Sequence, residues 1–282
     1  MINKKEKESA DKLIDLALKE DVGTGDITTN NLIPSEMREK AYMIAKSDGV
    51  IAGLEVAEMV FKKLDNSLLW RPEVKDGTFV KKGTVIVRFE AEYRAILTGE
   101  RTALNFLQRM CGIATRSASC VEAVADYNCI ILDTRKTLPG FRLLDKYSVK
   151  TGGATNHRIG LFDMIMIKDN HIEVAGGITP AIDQIRKKIA PGIKIEVETT
   201  NLEQVKEALD ANADIIMLDN MDNKTMKEAV LIINGKAKTE ASGNMTKERL
   251  REVAATGVNF VSMGDLTHSV KAMDISQKIG GR

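Results

Sequence analysis

Aromatic side chains are scarce: one Trp, four Tyr and seven Phe make up 4% of the 282 residues. So few ring faces leave little platform for stacking the bases of a nucleic acid. An excess of one charge sign is missing too. The 41 Lys and Arg face 40 Asp and Glu, a formal net charge of +1. The total therefore asks for neither nucleic acid nor an anionic membrane as partner. No apolar run approaches the roughly 20 residues that span a bilayer. The opening MINKKEKESADK has no apolar core of the kind a signal peptide carries. Cysteine is limited to Cys111, Cys120 and Cys129, an odd number without a CxxC pair. That speaks against a zinc site or a disulfide framework and leaves buried thiols of a cytoplasmic protein. Histidine is limited to three, and His157 and His171 have neither HxxxH nor HExxH spacing. A metal centre built on histidine is not indicated.

What is present is local. Between Asp133 and His171 lie Arg135, Lys136, Arg142, Lys146, Lys150, His157, Arg158 and Lys168, interleaved with Gly and Thr. A solvated face would mix charge signs. A mainly cationic stretch in a neutral protein suggests a small-molecule site for a substrate with several negative charges.

Along the chain, Leu13, Ile14, Ala17 and Leu18 give Glu6 to Glu20 the stripe of an amphipathic helix. Gly23 and Gly25, with acidic and Thr neighbours, form a turn; a phosphate cradle there is disfavoured because the acids repel anions. From Lys40 to Glu92 short alternating runs (41–45, 68–74, 84–91) are separated by turns at Gly49, Gly77 and Gly83 and by a helix over 54–64. The pattern is that of a small α+β domain. Gly99 to Val124 is a long helix with Arg101 in its first turn, where a cation opposes the helix dipole. That placement hints at another task for Arg101.

After Asn128 the rhythm changes. Apolar strands at 130–132, 164–167, 193–197, 215–218, 238–241 and 260–261 alternate with helices at 179–189, 202–211, 223–233 and 246–255. Alternating βα units build a parallel sheet. Six strong strands are too few for an eight-stranded barrel, and no GxGxxG turn marks an open nucleotide-binding sheet. The expected fold class is α/β: an incomplete α/β barrel with an N-terminal α+β sandwich domain. The expected domains are 1–110 for the sandwich and 111–267 for the barrel, with a C-terminal helix over about 268–282 packing back on the sandwich.

In such folds the carboxyl ends of the strands carry the ligand. Arg135, Lys136, Arg158 and Lys168 would converge there, Arg as a two-pronged donor and Lys as a point charge. Glu198 and Asp219 end two successive strands. They could hold magnesium, act as general acid and base, or neutralise the cations. Ser242-Gly243-Asn244 and Ser262-Met263-Gly264 end the last two strands, where small residues let backbone N–H groups reach a phosphate. His157 fits a hydrogen-bonding role beside Arg158, and His268 a capping role at a helix start.

Several long, ordered motifs carry a resemblance. They are Asp133-Thr134-Arg135-Lys136-Thr137-x-Pro139-Gly140-x-Arg142, Gly152-Gly153-x-x-Asn156-His157-Arg158-x-Gly160-Leu161 and Ile167-Lys168-Asp169-Asn170-His171. With Glu20 to Thr28, Gly99 to Asn105, Glu196-Val197-Glu198, Met217 to Asn220, Glu240 to Gly243 and Gly264-x-Leu266-Thr267-His268, they closely resemble quinolinate phosphoribosyltransferases. The resemblance covers nearly the whole chain. It implies conversion of quinolinate and phosphoribosyl pyrophosphate to nicotinate mononucleotide, pyrophosphate and carbon dioxide, with Mg2+, in NAD synthesis. It implies a cytoplasmic homodimer in which Arg101 reaches the partner's site, with neither nucleic acid nor membrane as partner. By position, Arg135, His157, Arg158 and Lys168 meet the quinolinate carboxylates, with Thr134 beside them, and Lys136 lies between quinolinate and phosphate. Glu198 and Asp219 hold magnesium and the ribose hydroxyls; Ser242, Gly243, Asn244, Ser262, Met263 and Gly264 take the phosphate. The catalytic roles fall to Lys136, Lys168, Glu198 and Asp219. The chain departs from the family pattern at Asn244, where glycine is expected, and at Asp265, a carboxylate beside a phosphate loop. Two other readings of the residues are a lyase forming a Schiff base on Lys168 and a silent anion-sensing scaffold.

Overall fold

The first apolar stripe becomes helix α1 (Lys4–Val22) of a computed structural model that describes residues 1–280. Asn3 caps it: its side chain accepts from the Glu6 N–H, and the Glu6 carboxylate accepts from the Asn3 N–H. In chain order there follow α2 (Ile27–Leu32), β1 (Arg38–Ala45), β2 (Gly49–Val50), α3 (Leu54–Leu64), β3 (Leu69–Pro72), β4 (Phe79–Val80), β5 (Val85–Glu92) and α4 (Tyr93–Ala123). Next come β6 (Ile130–Leu132), α5 (Arg142–Thr151), β7 (Ile165–Ile167), α6 (Asp169–Ala175), α7 (Ile178–Arg186), β8 (Ile195–Thr199), α8 (Leu202–Asp210) and β9 (Ile215–Asp219). The chain continues with α9 (Asn223–Ile233), β10 (Lys238–Ser242), α10 (Leu250–Ala254), β11 (Phe260–Ser262), α11 (Asp265–His268) and β12 (Ile275–Ile279). The Gly23–Gly25 turn is structural: Gly23 ends α1 at φ 55°, and Asp26 caps α2 through the N–H groups of Thr28 and Thr29.

The described chain divides into two compact units. The first comprises 1–118, 137–153 and 269–280. Its antiparallel sheet runs β12-β1-β5-β3. Phe61 of α3 packs on Phe89 and Trp70 with ring centres 4.8 and 6.0 Å away. Leu144 and Tyr147 of α5 belong to the same core. Asp76, in the turn before β4, accepts hydrogen bonds from the N–H groups of Gly53 and Leu54 at the start of α3 and from the Tyr147 hydroxyl.

The expected division between 110 and 111 falls inside α4, a continuous helix whose Met110, Cys111 and Ala114 are buried in the first unit's core. Two expectations need correction here. The helix expected over 268–282 is instead strand β12, antiparallel to β1, with Met273, Ile275 and Gln277 buried at every second position; residues 281 and 282 lie outside the described residues. Because β5 runs straight into α4 at Tyr93, Arg101 sits on the third turn and not the first. The dipole argument for its unusual placement therefore lapses.

The second unit comprises 119–136 and 154–268. Its six strands are all parallel, in the order β6-β11-β10-β9-β8-β7. Leu132 adds a parallel bridge to Thr155 beyond β6. Among the described residues β6 and β7 do not pair, so the barrel is incomplete. The fold class is the one the sequence indicated, an incomplete α/β barrel with an N-terminal α+β sandwich. Among the described residues no helix is long and apolar enough to cross a membrane.

Candidate active site

Parallel strands place all their carboxyl ends on one rim, and here that rim encloses a cavity of about 880 Å³ within the second unit. The segment after β6 supplies Thr134, Arg135 and Lys136 to its wall; β7 leads into Lys168; β8 and β9 supply Glu198 and Asp219. His157 and Arg158 come from the chain just beyond Thr155. Ser242, Gly243 and Asn244 follow β10, and Ser262 and Gly264 follow β11. The size suits a small ligand.

Cations are crowded on this wall. The Arg158 guanidinium has its pKa lowered, first by burial and then by repulsion from Arg135. Two like charges held together store an unfavourable energy that an anionic ligand relieves. Lys168 Nζ lies 2.5 Å from Glu198 Oε1. That ion pair engages the amine with a carboxylate, which speaks against a Schiff-base role, in which the amine must attack a carbonyl. Lys136 is held by its backbone, its N–H donating to Thr134 Oγ1 at 3.1 Å and its carbonyl accepting from the Thr267 hydroxyl at 2.8 Å.

The floor is a buried trio of His157, a candidate from the sequence, with Glu196 and Glu240, which were not. His157 Nε2 lies 3.1 Å from Glu196 Oε2 and 3.3 Å from Glu240 Oε2, and both carboxylates are fully buried. Burial pushes the Glu196 carboxyl up to about 7, opposed by His157 and reinforced by Glu240. For His157 burial opposes charge, but the two carboxylates outweigh it and push the imidazole up to about 10. A second demand acts on the ring: its Nδ1 accepts the Arg158 N–H at 2.7 Å, which an imidazolium could not do. A proton held between the carboxylates meets both demands. The three residues present their ligand atoms within 4.8 Å of one another, but the imidazole Nε2–H is already the donor the carboxylates face. Glu196 and Glu240 stand two residues before Glu198 and Ser242, so strand alternation points each pair to the same side. A charged residue inside an apolar strand was the available signal.

Of the candidates in this unit, Met263 alone does not line the cavity. Its side chain is buried, and its N–H donates to the Leu132 carbonyl at 2.9 Å, so it cannot bind phosphate. Arg142, Lys146 and Lys150 of the cationic stretch lie on α5 in the first unit, with Lys146 buried; they are not part of this wall. Arg101 is exposed on α4 of the first unit. Asn244 replaces glycine at a left-handed position, φ 48°, the region asparagine tolerates best after glycine. Asp265 does face the cavity, at the start of α11. His268 lines it as well and ends α11 instead of capping a helix start: any side chain at Gly264 would come within 2.9 Å of the His268 ring and 3.0 Å of the Lys136 chain. Asn220 was quoted in a motif but not chosen as a site residue, yet it lines the cavity.

An incomplete barrel with basic, acidic and small residues on one rim defines an α/β-barrel enzyme class acting on polyanionic small molecules. Comparison with known proteins narrows this. Residues 26–111 match the family profile "Quinolinate phosphoribosyl transferase, N-terminal domain", and residues 113–278 match the corresponding C-terminal domain. A chloroplastic nicotinate-nucleotide pyrophosphorylase (carboxylating) of Oryza sativa subsp. japonica is 47% identical over 286 residues, covering 95% of this chain and 76% of that protein. A probable nicotinate-nucleotide pyrophosphorylase (carboxylating) of Bacillus subtilis is 43% identical, covering 95% and 92%. The crystal structure of NadC from Streptococcus pyogenes superposes with a TM-score of 0.92 at 40% identity, covering 95% of each chain. The chain belongs to the quinolinate phosphoribosyltransferase family.

Proposed function

We infer that the chain is a quinolinate phosphoribosyltransferase, the pentosyltransferase that joins quinolinate to phosphoribosyl pyrophosphate in NAD biosynthesis and releases pyrophosphate and carbon dioxide. The observation that carries this reading is the single rim that brings Arg135, Arg158 and Lys168 together with Glu198 and Asp219.

The guanidinium groups of Arg135 and Arg158 and the Lys168 amine hold the two quinolinate carboxylates, with His157 and Thr134 beside them. Holding the pyridine nitrogen against the anomeric carbon supplies much of the rate. The nitrogen–carbon bond forms as the bond to pyrophosphate breaks, and the electron pair leaves with pyrophosphate. Positive charge then grows on the ribose, where the Glu198 and Asp219 carboxylates face it, and negative charge grows on the leaving oxygens, where Lys136 lies. The alkylated ring nitrogen is now cationic. Its positive charge stabilises the electron pair that stays on the adjacent carbon when the bond to the carboxylate breaks and carbon dioxide departs, and that pair then takes a proton from solvent. The Ser242–Asn244 and Ser262–Gly264 turns receive the 5′-phosphate on backbone N–H groups, that of Met263 excepted.

Glu198 and Asp219 also fit Mg2+. They are hard oxygen donors, two in number, on neighbouring parallel strands facing a cavity, and magnesium prefers one or two carboxylates completed by substrate oxygens and water. Bound there, the ion would add positive charge against the departing pyrophosphate. The assembly is a homodimer with Arg101 contributed to the partner's cavity, in keeping with an exposed cation on α4. The setting is cytoplasmic, in keeping with three cysteines that form no disulfide. Purified protein with Mg2+, phosphoribosyl pyrophosphate and quinolinate should yield nicotinate mononucleotide by chromatography. Consumption of nicotinate in preference to quinolinate would overturn the substrate assignment.

A further inference from the structure

Asn220 follows Asp219 directly and adopts φ 54°, a left-handed backbone that non-glycine residues take up rarely. Its surroundings account for that conformation. The Nδ2 group donates to Asp219 Oδ2 at 2.8 Å. The backbone N–H donates to the Ser242 carbonyl at 3.0 Å, across to the end of β10. The Oδ1 atom faces the next turn, with Asn244 Nδ2 at 3.4 Å. It also lies where a side chain at Gly243 would go: a Cβ there would come within 2.2 Å of Oδ1 and 2.5 Å of the amide carbon. The amide orientation is fixed by chemistry, because turning it over would set its oxygen against the Asp219 carboxylate. Asn244 continues the pattern with φ 48°, and its carbonyl accepts from Arg249 at 3.2 Å.

Two ligand-facing parts of the rim are thus tied by one side chain. One is the acid at the end of β9, the other the glycine turn after β10. The same substrate must meet both, since its ribose and its 5′-phosphate are one molecule. We propose that Asn220 is a positioning residue that sets the Asp219 carboxylate and the Gly243–Asn244 turn in fixed register, so that ribose and phosphate of phosphoribosyl pyrophosphate are recognised as a unit. This rests on the reading of the cavity given above. The hydrogen bonds of Asn220 run to Asp219, Ser242 and Asn244 and not to the cations assigned to quinolinate, so quinolinate recognition is expected to be independent of the clip.

The discriminating variant is Asn220→Gly. Glycine adopts the left-handed backbone freely, so only the amide is lost. Affinities for phosphoribosyl pyrophosphate with Mg2+ and for quinolinate alone are measured by calorimetry, beside kcat and both KM values. The expected result is Kd and KM for phosphoribosyl pyrophosphate raised about tenfold, the scale of one lost hydrogen bond to a charged group, with quinolinate Kd unchanged. Asn220→Asp keeps the shape but sets a second carboxylate against Asp219 and removes the donor, and is expected to lose more than Asn220→Gly. Unchanged affinity for phosphoribosyl pyrophosphate in Asn220→Gly, or equal losses for both ligands, overturns the inference while the wild-type activity keeps the functional reading intact. A wild-type protein that binds neither compound ends that reading, and this inference with it.

Discussion

Single side chains carry the substrate assignment. Arg135→Ala and Lys168→Ala would each remove one of the charge-assisted contacts proposed to quinolinate, at a cost of about 1.5–3 kcal/mol, which is roughly a 10- to 150-fold loss. Steady-state kinetics should show kcat/KM for quinolinate reduced by that factor in each variant. Near wild-type values in both would remove the anion wall from the account. The floor gives a separate prediction. Glu196 keeps its proton in the folded protein up to about pH 7, against 4.5 for an unperturbed carboxyl. Its contribution to stability is whole below the lower value and is lost as pH rises through the upper one. Glu196→Gln does not ionise, so urea unfolding at pH 5 and pH 8 should show the variant gaining on the wild type as pH rises. Parallel pH dependences would contradict the buried-carboxyl description. At this scale the sequence was legible wherever a charged residue ended an apolar run, as with Lys168, Glu198 and Asp219. It was not legible at Glu196, Glu240, His268 and Asn220, whose contacts come from segments far apart in the chain. Met263 misled because its neighbours Ser262 and Gly264 face the cavity while its own N–H serves the bridge to Leu132.

Elements were readable where periodicity was strong. The helix over 223–233 and the strand over 130–132 occupy the residues their patterns indicated. The C-terminal segment was not. Met273, Ile275 and Gln277 do alternate, but a short run with a polar member has no distinct strand signature until β1 offers its free edge. The return of this segment is held tightly at α4: a Cβ at Gly112 would sit 2.4 Å from the Lys271 carbonyl oxygen and 3.1 Å from the Ala272 Cα. Backbone atoms on both sides leave little room to adjust. Gly112→Ala should cost about 1–3 kcal/mol and lower the thermal midpoint by several degrees in a calorimetric scan. An unchanged midpoint would mean that the closing segment is not anchored there.

For the whole molecule, the two-part plan was visible in the change from alternating strands to βα rhythm, but the excursion of 137–153 into the first unit was not. The chain enters the barrel unit, leaves for α5 and returns, a path that local pattern does not encode. The proposed homodimer makes the sharpest claim at this scale. If Arg101 serves the partner's cavity, Arg101→Ala and Arg135→Ala proteins, each impaired, should complement on subunit exchange. Random mixing makes about half the dimers mixed, each with one intact cavity, so about a quarter of wild-type activity should return. No recovery after verified exchange would place Arg101 in its own subunit's chemistry or outside it.

The central claim is that one cavity both transfers the phosphoribosyl group to quinolinate and expels the adjacent carboxylate. It is tested most directly with quinolinate carrying an isotopic label in its 2-carboxyl group. Labelled carbon dioxide, pyrophosphate and nicotinate mononucleotide should appear in equal amounts from the wild-type protein. Pyrophosphate and a nucleotide that retains the label, or none of the three products, would contradict the account.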